Sequence, residues 1–172
     1  MKKYTFTSIL LTILFAAVYS ASAQSVVFTS IDGEKVDVEA QKGKVVVMAI
    51  GASWLPLSNN QAGIINKLVT TYEGNDDIVF YFIATDSSST KSKNYASNED
   101  ILKFKNKNKL NVSVLRDNDG KTSIEKFQLD QLPAFIILDK DGKVDGDPIT
   151  GIDPGGTNEL VGVLSGRIDK LL

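Results

Sequence analysis

Two apolar runs, Lys44 to Ile50 (KVVVMAI) and Ile78 to Ala84 (IVFYFIA), constrain the fold more than anything else in the chain. Each is short, continuous and rich in β-branched or aromatic residues, the pattern of a strand buried on both faces. Between them Ile64, Ile65, Leu68, Val69 and Tyr72 recur at helical spacing, so the segment reads strand–helix–strand. A sheet whose strands are buried on both sides needs a layer of helices above and below it.

The rest of the chain extends this pattern. Ser25 to Thr29 and Lys35 to Val38 flank Asp32-Gly33, a hairpin turn signal. Ser58 stands where it can cap the first helix, and Gly74-Asn75 ends that helix. Asp86 to Asn94 is a Ser-rich loop. Ser97 with Asp100 three residues on is a capping-box-like start for a helix with Ile101, Leu102 and Phe104 inward and Lys103, Lys105, Lys107 and Lys109 outward. Val112 to Leu115 is a strand, Asp117 to Gly120 a turn, Thr122 to Phe127 a short helix and Ala134 to Leu138 a strand. Asp141-Gly142 turns that strand back into Lys143–Val144. After Gly155-Gly156, Leu160, Val161, Leu164, Ile168, Leu171 and Leu172 form the stripe of a last helix. The order β-hairpin, β, α, β, α, β, α, β, β, α predicts an α/β fold of three layers around a mixed sheet.

The N-terminus has the form of an export signal. Lys2 and Lys3 precede an apolar run from Ile9 to Val18, and Ala21-Ser22-Ala23 fits the small-x-small cleavage rule. The expected division is residues 1–23 as signal peptide and 24–172 as one mature domain, periplasmic or secreted, with no membrane anchor after cleavage. Losing Lys2 and Lys3 leaves 17 basic residues against 21 acidic ones, a net charge of −4. That balance argues against a nucleic-acid partner, which needs clustered Lys and Arg. The chain has no cysteine and no histidine. Stability must come from packing without disulfides. Ser-His and Cys-His nucleophile pairs and the usual zinc sites are closed by composition.

Four stretches, in this order and spacing, carry a resemblance over nearly all of residues 25–172. They are Gly43-Lys44-Val45-Val46-Val47, then Ala52-Ser53-Trp54-Leu55-Pro56-Leu57-Ser58, then Leu115 to Lys121 (LRDNDGK), then Leu132 to Lys143 (LPAFIILDKDGK). The chain resembles thioredoxin-fold proteins of the redoxin type, close to exported TlpA-like and ResA-like thiol–disulfide proteins. The resemblance implies a thioredoxin fold, three-layer α/β/α with a central mixed sheet and an N-terminal β-hairpin. It also implies that the second stretch stands where the family holds its CxxC pair, and that Pro133 is the family's cis-proline beside it. Leu55 occupies the position of the nucleophilic cysteine and Ser58 that of the resolving one. A thiolate is the nucleophile of disulfide exchange, so the family's chemistry does not carry over to these positions.

What remains at the old redox turn is a set of candidate binding residues: Trp54, Leu55, Pro56, Leu57 and Ser58, with Leu132 and Pro133 alongside. The resemblance implies that a cis-proline there leaves backbone groups free to pair with an extended peptide, and that the apolar side chains form a small patch. The competing reading is that Leu55 merely fills the space of a thiol and the turn is inert. The acidic turns at Asp117 and Asp139 do not fit a calcium loop. From Asp117, positions 6 and 12 are Thr122 and Gln128; from Asp139 they are Val144 and Thr150; from Asp141 they are Gly146 and Ile152. A glycine and a glutamate are required there, so both read as hairpin turns. The lysine face of the second helix reads as solvated. Asn111-Val112-Ser113 is a formal glycosylation sequon that carries no argument in a bacterial host, which the short Lys-Lys signal favours.

The expectation is therefore an exported thioredoxin-like domain with no catalytic residue, cofactor or metal. It would bind an extended polypeptide or an envelope protein in the manner of a peptide-binding or chaperone-like module. Two alternatives stay open: a thiol–disulfide oxidoreductase that positions a thiol supplied by a partner or small molecule, and an inert structural subunit.

Overall fold

The computed structural model describes residues 25–172, so the expected signal peptide, residues 1–23, lies outside the described residues. The elements are β1 (Val27–Ser30), β2 (Lys35–Asp37), β3 (Val45–Gly51), α1 (Leu57–Thr71), β4 (Ile78–Ala84), α2 (Asn98–Lys107), β5 (Ser113–Arg116), α3 (Lys121–Phe127), β6 (Ala134–Leu138) and α4 (Thr157–Ile168). The strands form one sheet in the order β2-β1-β5-β4-β3-β6. β3 pairs with β4 and β4 with β5 in parallel, while β1–β2, β1–β5 and β3–β6 are antiparallel. This is the mixed sheet with an N-terminal hairpin that the sequence implies.

The continuous apolar run of β3 is explained by what covers it. Val45, Val47 and Ala49 face a cluster completed by Ile64, Ile65 and Leu68 of α1, Ile101 and Phe104 of α2, and Leu164 and Ile168 of α4. Val46, Met48 and Ile50 face the opposite way, against Ile83, Ile136, Phe127 and Leu129. All seven residues of β3 are buried. Fully burying one such aliphatic side chain is worth about 1.5–3 kcal/mol, so β3 is the spine of both layers.

Several local expectations change. Ser97 caps α2 in a full capping box with Asp100, but Leu102 is 43% exposed because it falls between the buried positions Ile101 and Phe104. Ser58 does not cap α1. The N-cap position is Pro56, and Ser58 lies inside the first turn facing the sheet. Asp117–Gly120 is not a hairpin turn: residues 118–120 form a 3₁₀ turn running straight into α3. Lys143–Val144 is not a strand but a single bridge, Leu138 to Val144. Gly146 there has φ +59°, and Pro148 has no N–H, so a ladder cannot run through. The expected stripe of α4 holds through Ile168, while Leu172 lies beyond the helix and is exposed.

Candidate functional site: the turn at the end of β3

The parallel strands β3, β4 and β5 all end on one side of the sheet, the side where open α/β sheets bind ligands. The turn after β3 holds Trp54, Leu55, Pro56, Leu57 and Ser58. Trp54 is 49% exposed, Pro56 is exposed, Leu55 and Leu57 are half-buried and Ser58 is fully buried. The loop before β6 brings in Leu132, half-buried, and Pro133, buried; the Leu132–Pro133 peptide bond is cis. Ile50 pairs with Ala134 across β3 and β6, which sets the turn and the loop side by side.

Buried polar groups hold this junction. The Ser58 hydroxyl accepts a hydrogen bond from the Ala52 N–H at 3.1 Å. The Gln61 side-chain amide donates to the carbonyls of Ile50 (3.2 Å) and Ala134 (2.7 Å), stitching turn to loop. Gln61 is completely buried, yet its Oε1 has no hydrogen-bond partner. Gly51 is needed between them: a Cβ there would stand 2.5 Å from Gln61 Oε1 and 2.6 Å from Ser58 Oγ. The Gly51 carbonyl accepts from both the N–H and the hydroxyl of Thr85.

A second device fixes the approach to Trp54. Asp86, fully buried at the end of β4, accepts from the Ser53 hydroxyl at 2.5 Å and from the Ser53 N–H at 3.0–3.1 Å. The Asp86 carbonyl accepts from Arg116, whose guanidinium also bonds the Ala96 carbonyl and Asn98 Oδ1. Asn98 in turn donates to the Ile31 carbonyl. The sequence reading found the turn and the proline loop but missed Ser53, Gln61, Asp86 and Arg116. The available signal for Gln61 was its place in the stripe 58-61-62-65-68, where a polar residue interrupts the buried face of α1.

The acidic turns are occupied with backbone. The Asp117 carboxylate accepts from the N–H groups of Thr122 and Ser123, and that of Asp139 from Asp141 and Lys143. A cleft of about 470 Å³ lies between the end of α3 and the segment after β6, and one of about 550 Å³ between the chain after β2 and residues 141–144; neither includes a residue of the turn.

A model of the AhpC/TSA family matches residues 20–146, from before β1 through the loop that follows β6. The chain belongs to the AhpC/TSA family. No curated protein matches it in sequence. Among solved structures it is similar to a thiol-disulfide oxidoreductase from Bacteroides fragilis, at TM-score 0.67 and 18% identity over 87% of this chain and 98% of that one. It is similar also to a secreted Mycobacterium tuberculosis disulfide oxidoreductase, at TM-score 0.60 and 23% identity over 86% and 96%. A thioredoxin-like protein from Aeropyrum pernix gives TM-score 0.62 and 23% identity over 82% and 89%. At these identities the likeness is one of fold: this family member has the thioredoxin-like redoxin architecture of thiol–disulfide oxidoreductases and contains no cysteine.

Chemically, the turn offers no nucleophile. Leucine at 55 has none, and the hydroxyl at 58 is buried and hydrogen-bonded to the backbone, with no histidine in the chain to activate it. What it does present to solvent is an aromatic ring on a turn fixed from beneath.

Proposed function

We propose that this family member is a non-catalytic binding module. It holds an extended polypeptide or an envelope protein partner at the Trp54–Ser58 turn and the Leu132–Pro133 loop. The observation that carries this reading is the contrast within one turn: the two positions that would bear sulfur are withdrawn or apolar, whereas Trp54 stands half-exposed on a hydrogen-bonded support. A large aromatic side chain held rigid at the surface is the usual kind of residue around which binding energy concentrates. We also propose residues 24–172 as the mature, exported domain, since the Lys2–Ala23 segment has the pattern of a signal peptide.

The first experiment compares captures from the envelope extract of the source organism by the wild-type protein and by Leu57→Asp. Partners lost in the variant support binding at the turn. Identical captures move function away from it and favour a structural subunit. Insulin reduction or peroxide consumption without any added thiol protein would overturn the non-catalytic reading. The family relationship favours one alternative, in which the chain positions a thiol supplied from outside. Leu55→Cys with Ser58→Cys tests the frame for it: a disulfide and reductase activity in the double variant mean that the geometry of the turn is intact.

A further inference from the structure

The side of α4 that faces away from the sheet carries a pattern the fold itself does not use. Val163 is 50% exposed, the most exposed large apolar side chain among the described residues. Glu159, Gly162, Val163, Gly166 and Lys170 are all exposed, and their spacing of i, i+3, i+4, i+7 and i+11 puts them on one side of a helix. The helix ends at Ile168, and Asp169 keeps helical angles (φ −59°, ψ −28°), so Lys170 continues the line. Leu164 and Ile168, on the opposite side, join the core.

Two glycines inside one helix of 12 residues weaken it relative to alanine. Elsewhere the chain itself calls for its glycine: at Gly51 a Cβ would strike Gln61 and Ser58. At Gly162 and Gly166 a Cβ would meet no atom within 4 Å, and neither residue has a positive φ. Among the described residues, then, nothing within one molecule requires glycine at either position. What the two glycines create is a bare stretch of backbone, one turn long, beside Val163.

The charges of this helix show the same excess. Arg167 is paired with Asp145 at 3.1 Å, and Asp169 accepts from the Tyr72 hydroxyl at 2.7 Å. Glu159 and Lys170 have no side-chain partner among the described residues. They stand at opposite ends of the exposed face, the acid first and the base last.

Such a face is complementary to itself. Take two antiparallel copies related by a two-fold axis at the height of Leu164 and Ser165. Glu159 then stands against Lys170 of the partner subunit, and Val163 against Gly166 of the partner subunit. The two-fold repeats both contacts. Each valine meets a bare stretch of backbone and each unpaired charge meets its opposite. Antiparallel pairing also brings opposite ends of the two helix dipoles together. A parallel pair would instead set acid against acid.

We propose that the outward face of α4 is a self-association surface whose occupant is a second copy of this chain, packed antiparallel across α4. Two helices of 12 residues, about 18 Å long, bury less than a standard interface. The dimer is therefore weak, with a dissociation constant on the order of 10–100 µM. No residue of the turn after β3 takes part, so this inference stands or falls apart from the binding reading above.

Sedimentation velocity of the purified protein over a concentration series reads the association. The wild type is expected to pass from monomer to dimer across that range. Val163→Asp, at an exposed position, should raise the dissociation constant at least about tenfold with the melting temperature retained. Gly166→Gln should weaken the dimer about as much while raising the melting temperature of the dilute monomer, because glutamine is the better helix former. A residue that mattered only to the fold would not give that pair of results. Glu159→Lys and Lys170→Glu should each weaken the dimer about fivefold, and together return it to within about twofold of the wild type. A wild type that stays monomeric up to about 1 mM overturns the proposal. So does a dimer that Val163→Asp and Gly166→Gln leave intact, since the contact then lies on another surface. A charge-swapped double variant no tighter than either single variant overturns the antiparallel register.

Discussion

Two turns at the same end of the sheet do the same topological task and are built differently. After β5 the chain enters α3 through a turn whose Asp117 carboxylate satisfies two helix N–H groups, Thr122 and Ser123. After β3 it enters α1 with no side-chain cap, no acidic residue in the first turn and an unpaired buried oxygen on Gln61. The turn after β5 closes the Thr122 and Ser123 N–H groups on Asp117, and its one buried side-chain atom without a partner is the Ser123 hydroxyl. The turn after β3 bonds the Ser58 and Asn59 N–H groups to the Leu55 and Pro56 carbonyls and leaves the Trp54 ring in solvent, where partner binding is proposed.

The comparison can be broken by mutation. Asp117→Ala should have the largest effect. It strands two N–H groups around a nearly buried carboxylate position, at a cost of about 3 kcal/mol, read as a lower urea midpoint at unchanged slope. Gly51→Ala should cost about 2 kcal/mol by overpacking against Gln61 and Ser58. Part of that loss should disappear in a Gln61→Ala background, because the Gln61 contact is gone while that with Ser58 Oγ at 2.6 Å remains. If the loss persists in that background, the Gln61 oxygen does not set the shape of the turn. Trp54→Ala, by contrast, should change stability by less than about 0.5 kcal/mol while removing the surface on which partner binding is proposed.

The smallest effect concerns the far end of α1. A helix without a cap at its start is restrained here at its finish, where the Tyr72 hydroxyl donates to Asp169 Oδ1 at 2.7 Å and to the Ser165 carbonyl at 3.2 Å. Burial, and then the bond to Asp169, push the Tyr72 hydroxyl up from 10.0 to about 12. The folded chain keeps this proton where the unfolded chain loses it, so the contribution is complete below pH 10 and fades between pH 10 and about 12. Tyr72→Phe should flatten the alkaline part of a stability-against-pH curve. An unchanged slope would mean that the tyrosine does not brace α1 against α4.

Much of the fold was legible because its strongest signals are one-dimensional. Continuous runs such as those of β3, β4 and β6 need no partner to be recognised, and the helical spacing of Ile64, Ile65 and Leu68 marks the buried face of α1. What misled were residues whose role depends on their neighbours. Ser58 has the side chain of a cap, but Pro56 already sits at that position and the hydroxyl turns inward to Ala52. Asp117 belongs to an Asp-x-Asp-Gly sequence like that at Asp139, yet only the second becomes a hairpin turn, because α3 follows the first. At the site, Trp54 through Ser58 and Pro133 were legible by resemblance. Asp86 and Arg116 were not, since they act on Ser53 and on residues 86–98 across gaps that no local pattern records.

The segment that follows β6 has one more consequence. Val144 bridges Leu138 and Ile149 bridges Phe135, with the Phe135 and Ile149 backbones exchanging hydrogen bonds at 2.8 and 3.0 Å. The outer edge of β6 is therefore shielded by irregular chain, and at the other side of the sheet β2 is only three residues long, with Lys35 and Asp37 at its ends. Sheets whose borders are short, charged or covered resist sideways growth into aggregates. A sheet bordered in this way offers no long open strand on which another chain could build.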